Sequence, residues 1–404
     1  MTSSELYHCF GLKGYRTMRT DFSSGKIVLH VASSRPPLCP CCNGESVIGR
    51  GCFERVLKAL PIGGKQVDIL LRGQRVECLD CGVVRRMKVD FAGPRMGYIK
   101  RVEAYVLTLL RHATMKDVAR LVGLGWDAVK EIQKRHLTRR YHRPRLKGVR
   151  RIAIDEISIG KGHRYLTVVL NLDSGAVLFV GDGKGSDALK PFWKRVNRCK
   201  QCKLRAVAID MSPAYVSAVQ RNAPKARIVF DRFHIVKLCN EMLTKLRRSL
   251  YNATSEAGHK NVLKGTRWLL LKNPENLDET KNERQRLQEA LKINEPLATA
   301  YYMKDELRLL WSQNGKAEAR AFLLDWMRRA EASGTSQLKK FAHTLAAHRS
   351  GILAWYDERI STGPLEGTNN KIKTMKRQAY GFRDTEFLKL KIMALHETKY
   401  ALIG

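Results

Sequence analysis

Five short runs rich in aliphatic and β-branched residues crowd between Arg151 and Phe230, and their order restricts the fold more than any other part of the chain. Ile152–Ile159, Arg164–Asn171 and Ala176–Asp182 follow one another closely, with a turn at Asp173-Ser-Gly175 between the last two. A helical stretch from Asp187 to about Arg195 separates them from Leu204–Asp210. A second, Ser212–Arg221, leads to Ala226–Phe230. Three adjacent runs predict an antiparallel meander, and helical crossovers predict parallel strands after it.

The order βββαβαβ, with helices beyond, is that of a ribonuclease H-like fold, in which the fourth strand pairs beside the first. That pairing sets Asp155, inside the first strand, next to Asp210, at the end of the fourth. Alternation along the strand turns Glu156 to the opposite face. Two carboxylates on adjacent strands and a third from a packed helix supply the oxygen ligands that Mg²⁺ or Mn²⁺ takes. A two-metal site of this kind stabilises the attacking and leaving oxygens of an in-line displacement at phosphorus. Glu366 suits the third place: it stands near the start of a predicted helix, with Asn369, Asn370 and Lys373 at i+3, i+4 and i+7, positioned to contact a phosphate. Singly, an acid at a strand end caps a turn and Glu366 suits a helix N-terminus. Asp182 and Asp187 read as loop and cap residues.

A chain with 74 Lys and Arg, 38 Asp and Glu and a net charge of +36 exceeds what solubility needs and points to a polyanionic partner, nucleic acid. Residues 1–150 hold 29 basic and 12 acidic side chains, against 17 and 12 in residues 251–350, so the N-terminal part is the expected docking surface. No stretch approaches the roughly 18 to 20 apolar residues of a membrane span, and Met1-Thr-Ser-Ser-Glu-Leu-Tyr-His8 lacks a signal pattern. The expectation is a cytoplasmic protein without a membrane partner, whose ten cysteines are metal ligands or free thiols.

Four of those thiols form two CxxC pairs, Cys39/Cys42 and Cys78/Cys81, in a region of short β-like runs such as Lys26–Val31 and Gln66–Leu71. Each pair places two thiolates on one tight knuckle, as structural Zn²⁺ requires, with Cys41 as an alternative to a neighbour. Cys9 and Cys52 are expected in the core, and Cys199/Cys202, a third CxxC without a partner, in a surface loop. Beyond a helical segment from Ile99 to Arg111, Thr114 and Asp117 resemble a capping box. Met115, Val118, Leu121 and Val122 form one apolar stripe, Gly123 and Gly125 flank a turn, and Trp126, Val129 and Ile132 begin a second stripe, a helix-turn-helix pattern. Asp127, Lys130, Glu131, Lys134 and Arg135 are then candidates to face double-stranded DNA. Arg139, Arg140, Arg143 and Arg145, in the basic segment that follows, are candidates to lie on its phosphates.

These segments, with AIDEISIGKGHRYLTVVLNLDSG, AVAIDMSPAY, IVFDRFHIVKL, RWLLLKNPENL, NEPLATAYYMKDELRLLW and EGTNNKIKTMKRQAYGFRD, resemble the bacterial insertion-sequence transposases of the ISL3 family over nearly the whole chain. The resemblance implies that Asp155, Asp210 and Glu366 are a DDE catalytic triad and that the paired cysteines are zinc knuckles. It also implies binding to terminal inverted repeats, metal-dependent DNA cleavage and strand transfer into target DNA, action as a homodimer or larger assembly, and a bacterial, nucleoid-associated setting. Asp231 and His234 match a D-x-x-H motif of related transposases, and the pair is a candidate accessory group. The helical stretch from about Ile235 to Arg349, with Trp268, Trp311 and Trp326, resembles an all-α insertion, its tryptophans more simply read as core.

The expected fold class is thus a multidomain α+β and α/β protein: a zinc-binding β-rich domain (1–95), a helix-turn-helix domain (96–138), a basic linker (139–151), a ribonuclease H-like core (152–234), an all-helical insertion (235–350) and final core helices bearing the catalytic Glu (351–404). The rival reading is a DNA-binding transcriptional regulator with an inactive transposase-like core.

Overall fold

The computed structural model describes residues 1–22, 25–160 and 162–396. It divides into two compact units, Met1–Arg143 with Lys371–Gly404, and Pro144–Asn370.

The first unit begins with a helical turn, α1 (Ser3–Glu5), and five strands: β1 (Tyr15–Asp21), β2 (Ile27–Ser33), β3 (Val47–Lys58), β4 (Val67–Cys78) and β5 (Val84–Arg86). They form a mixed sheet in the order β1-β2-β4-β3, with β5 also on β4; β2 and β4 run parallel and the other pairs antiparallel. Val67, Ile69 and Leu71 of β4 are buried in alternation, as a strand with one face on a core requires. Cys9 and Cys52 are exposed rather than in the core. Cys9 lies between Leu6 and Phe10, which are the buried residues of that segment, and Cys52 adjoins a register shift in β3 that follows Gly49.

Three helices follow, α2 (Lys100–Leu109), α3 (Met115–Val122) and α4 (Trp126–Tyr141). Thr114 caps α3 by accepting the Asp117 N–H at 3.2 Å, and its hydroxyl donates to the Asp117 carboxylate at 2.7 Å. Gly123, at φ +67°, takes the left-handed turn that ends the helix. The buried stripes are Met115, Val118, Ala119 and Val122 on α3 and Val129, Ile132, Leu137 and Tyr141 on α4. Leu121 and Trp126 are about half exposed: Ala119, not Leu121, completes the period of 3.6, and Trp126 stands at the open first turn of α4.

In the second unit, β6 (Arg151–Gly160), β7 (Arg164–Asn171) and β8 (Val177–Asp182) form the expected meander. Next come α5 (Ser186–Arg198), β9 (Ala206–Ile209), α6 (Pro213–Asn222) and β10 (Arg227–Phe230). The sheet order is β10-β9-β6-β7-β8, so the fourth strand of this region does lie beside the first, and parallel to it. All four residues of β9 are buried, as befits an inner parallel strand covered on both faces.

From here to Glu358 the described residues contain helices and turns and no strand: α7 (Arg232–Ala253), α8 (Ala257–Gly265), α9 (Arg267–Leu271), α10 (Glu283–Lys292), α11 (Glu295–Leu307), α12 (Lys316–Ala332), α13 (Ser336–Leu353) and α14 (Trp355–Glu358). Trp326 is fully buried, its indole N–H donating to the Met303 carbonyl at 2.9 Å, and Trp311 is buried too. Trp268 departs from the core reading: it is 65% exposed, under the Arg267 guanidinium. Lys304 is buried because its ammonium donates to the carbonyls of Leu270 and Lys272, satisfying the C-terminal end of α9.

The division between the units falls inside α15 (Gly363–Gln378), and α16 (Thr385–Met393) belongs to the first unit. Asp384 caps α16 by accepting the Phe387 N–H at 2.9 Å, and its carboxylate meets the ammonium groups of Lys130 and Lys134 on α4 at 2.9 and 2.8 Å. Burial raises the Asp384 carboxyl, but the bonds from Lys134, the Phe387 N–H and Lys130 outweigh it and hold the carboxyl well below its usual range.

Gly351 is where α13 crosses β10, and a Cβ there would lie 2.4 Å from the Phe230 ring. Gly351→Ala should lower stability by roughly 1–3 kcal/mol through overpacking, read as a lower urea midpoint.

Candidate active site and metal centre

Two knuckles build the metal centre. Cys39 and Cys78 are each followed three residues later by the second thiol, and then by a residue in the left-handed region, Asn43 at φ +61° and Gly82 at φ +68°. The Asn43 N–H returns to the Cys39 carbonyl and the Gly82 N–H to the Cys78 carbonyl. Pairing of Val47 with Cys78 brings the knuckles together. The Sγ atoms of Cys39 and Cys81 lie 3.6 Å apart, those of Cys42 and Cys78 3.5 Å apart, and all four lie within 4.8 Å of one another. A tetrahedral zinc with bonds of about 2.3 Å spaces its sulfurs by about 3.8 Å, so the set fits structural Zn²⁺. Backbone N–H groups of Cys42 and Cys41 lower the Cys39 thiol, whereas the thiols of Cys42 and Cys81, crowded by their neighbours, are raised. Cys41 is exposed and outside the cluster.

The carboxylates depend on strand register. β6 and β9 pair Arg151 with Ala206, Ile152 with Val207 and Ala153 with Ala208. Carried two residues onward, the same offset sets Asp155 level with Asp210. The Asp210 carboxylate accepts the Ser212 N–H at 3.0 Å, turning the chain into α6. Glu156 points the other way and accepts a 2.8 Å hydrogen bond from the Tyr215 hydroxyl. Burial pushes the Asp155 carboxyl up to about 6; the Glu156 backbone N–H and His234 oppose the rise, and the charges of Glu156 and Asp210 add to it.

Glu366 occupies the first turn of α15. One turn further, the Asn369 amide donates to Asp155 Oδ2 at 2.9 Å, which ties this helix to β6. The Thr362 N–H, at the helix start, donates to Asp231 Oδ1 at 3.1 Å, and the Phe233 N–H to Asp231 Oδ2. His234 Nδ1 lies 3.4 Å from the same carboxylate, a charge contact without hydrogen-bond geometry. Burial raises Asp231, yet His234 and Thr362 bring it below its usual range; Asp231, with Asp155 and Asp210 adding, makes His234 more basic. The three acids are not gathered as the thiols are: among the described residues, only the four cysteines are a set of metal-ligating side chains with all ligand atoms within 4.8 Å.

The other candidates are placed as follows. Lys130 and Lys134 are engaged by Asp384, and Arg135 donates to the Tyr98 hydroxyl and Glu103. Arg139, Arg143 and Arg145 are exposed, Arg140 lies over the Tyr141 ring, and Asn370 and Lys373 are exposed on α15. Asp187 pairs with Lys190, and Asp182 is exposed. Cys199 and Cys202 are half-buried in the turn after α5. Sequence reasoning missed two partners: Asn369 as the donor to Asp155, signalled only by its place one turn beyond Glu366, and Tyr215, whose apolar setting hid its hydroxyl's role.

Cys41→Ser should leave bound zinc and thermal stability unchanged, whereas Cys42→Ser should lose the metal and lower the melting temperature. Elemental analysis with a melting curve checks both.

Three family models match the chain: one described as Transposase over residues 152–392, one described as Helix-turn-helix domain of transposase family ISL3 over 87–137, and one described as zinc-finger of transposase IS204/IS1001/IS1096/IS1165 over 35–81. The transposase for insertion sequence element IS1001 of Bordetella parapertussis is 34% identical over 359 residues, 88% of this chain and 88% of that protein. The transposase for insertion sequence element IS1557 of Mycobacterium tuberculosis is 29% identical over 86% of this chain and 83% of its own length. No helix among the described residues is long and apolar enough to cross a membrane. A transposase-domain match over more than half of the chain, together with the IS1001 relative, shows that this chain belongs to the ISL3 family of insertion-sequence transposases.

Proposed function

We propose that the protein binds the terminal inverted repeats of its own element through the zinc-ribbon and helix-turn-helix modules. It then cleaves DNA at the element's ends and joins those ends to target DNA, with Asp155, Asp210 and Glu366 as the acids that hold Mg²⁺ or Mn²⁺. The observation that carries this reading is the 2.9 Å bond from Asn369 to Asp155: it links the helix of Glu366 to the strand whose parallel neighbour leads directly into Asp210. Carboxylate oxygens, with the buried and unpartnered Asn369 Oδ1 beside them, fit a hard divalent cation.

Bound there, the ions would polarise the phosphodiester and stabilise the charge developing on its oxygens. Asn369 holds the Asp155 carboxylate in one orientation. Asp231 fixes the first turn of α15, and so the position of Glu366, through the Thr362 N–H. His234, its charge supported by Asp231, is set to contact a phosphate oxygen. In the first reaction water adds at phosphorus and the bond to the 3′ oxygen breaks, freeing a 3′-hydroxyl. In the second, that hydroxyl displaces a bridging oxygen of target DNA, so one phosphodiester replaces another and no covalent protein intermediate is required.

On this reading the sheet of the second unit is a ribonuclease H-like core, and the helices between β10 and α15 are an all-α insertion ahead of Glu366. This reading keeps the domains drawn from the sequence, whereas by compactness residues 371–404, with the second half of α15 and α16, group with the first unit. Paired ends call for a homodimer or larger assembly.

Asp155→Asn, Asp210→Asn and Glu366→Gln should each reduce Mg²⁺-dependent cleavage of terminal-repeat DNA by about 10²- to 10³-fold or more while leaving repeat binding intact. Asn369→Ala should cost about 10- to 100-fold and weaken the Mg²⁺-induced rise in melting temperature. Undiminished cutting by any of the three acid variants would overturn the assignment.

A further inference from the structure

Two helices of the second unit, α5 and α6, border a groove of about 680 Å³ whose lining includes none of Asp155, Asp210 and Glu366. Lys190, Lys194 and Arg198 line it from α5 and Arg221 from α6. Asp187 is the one acid in the lining, and it is taken by Lys190 at 2.8 Å. Lys194, Arg198 and Arg221 are exposed and have no acidic partner among the described residues. On α5 the three cations recur every fourth residue, so they stand in a row on one face, about 6 Å apart and about 12 Å long.

The remaining polar groups suit the same kind of ligand. Asn197 donates to Asn222 from one helix to the other at 3.3 Å. Trp193, also in the lining, is buried with an indole N–H that lacks an acceptor. Apart from the paired Asp187, the charged side chains of the lining are all cationic donors, which suits an anionic ligand. A DNA duplex carries one phosphate per about 1.7 Å of its axis, so a 12 Å row of cations spans several.

We propose that this groove receives the sugar-phosphate backbone of the target duplex and holds it without regard to sequence. Lys, Arg, Ser and Asn contacts to phosphate position a duplex but do not read it. On the transposase reading the helix-turn-helix is committed to the element's own ends, so the duplex into which they are joined needs a separate, sequence-independent surface. The word target rests on the transposase reading; the duplex site itself does not.

The test compares the full chain with the triple variant Lys194→Ala, Arg198→Ala, Arg221→Ala, and with the charge-keeping Lys194→Arg, Arg198→Lys, Arg221→Lys. Binding of a duplex unrelated to the repeats is measured against salt concentration. The alanine variant should bind about 100-fold more weakly near 0.15 M salt, and its log–log salt slope should fall by about 2 to 3, at roughly 0.9 per lost phosphate contact. Joining of a precut end into target DNA should fall at least about 10-fold, with cleavage of terminal-repeat DNA unchanged and the charge-keeping variant near wild type. An unchanged slope with unchanged joining overturns the groove. Equal loss of repeat binding and cleavage assigns it to the element's own ends and overturns the target assignment. If the wild type cuts nothing while the slope still falls, the duplex site stands and the transposase reading fails.

Discussion

The parallel pairing of β6 with β9 is the constraint on which the sheet of the second unit, and the metal site proposed there, depends. Its register, Ala153 opposite Ala208, is what makes Asp155 and Asp210 neighbours, and a slip of one residue would turn one of them through the sheet. Several features hold that register. β9 is buried on both faces, Tyr215 clamps the far side of β6 through Glu156, and Glu358, almost wholly buried, accepts from Arg205 and Arg227 at the outer ends of β9 and β10. Apolar burial supplies the stabilisation and the polar groups supply the alignment.

The cost of the arrangement is visible in the titrating groups. Asp155 is half-buried among other acids and is pushed up to about 6, while His234 is raised by the same neighbours. For His234 the sign follows directly: an imidazole more basic in the folded state contributes stability below its unfolded value, and that contribution is lost as pH rises through the folded one. For Asp155 the folded state favours the proton, so its effect is to lower stability as pH rises from the ordinary carboxylate range towards about 6. The raised Asp155 carboxyl is one that a nearby cation would bring back down, in keeping with the metal role proposed for it.

Much of this was legible in the chain. The five strands of the second sheet, the order of their helices and the two thiol knuckles follow from local periodicity and spacing, which depend on near neighbours. What was hidden depends on distant ones. Nothing near Lys130 or Lys134 announces Asp384, so two residues read as facing DNA are found paired within the first unit. Cys9 and Cys52 read as core because cysteine is usually buried, yet Leu6 and Phe10 take the inner positions around Cys9, and Cys52 lies on a stretch of β3 that is largely exposed. Asn369 was visible as a neighbour of Glu366, but its bond to Asp155 joins residues 214 positions apart, beyond any local pattern.

The pairing of α4 with Asp384 also sets an order of events during synthesis. Lys134 leaves the ribosome 250 residues ahead of the carboxylate that receives its ammonium group. Until α16 is made, a nascent helix-turn-helix carries two unmated lysines and an uncovered flank, so its final surface is completed only once Asp384 and α16 have been translated. A fragment ending before residue 384 is therefore an electrostatically different DNA-binding module, more cationic on α4 than the finished one, rather than a shortened copy of it.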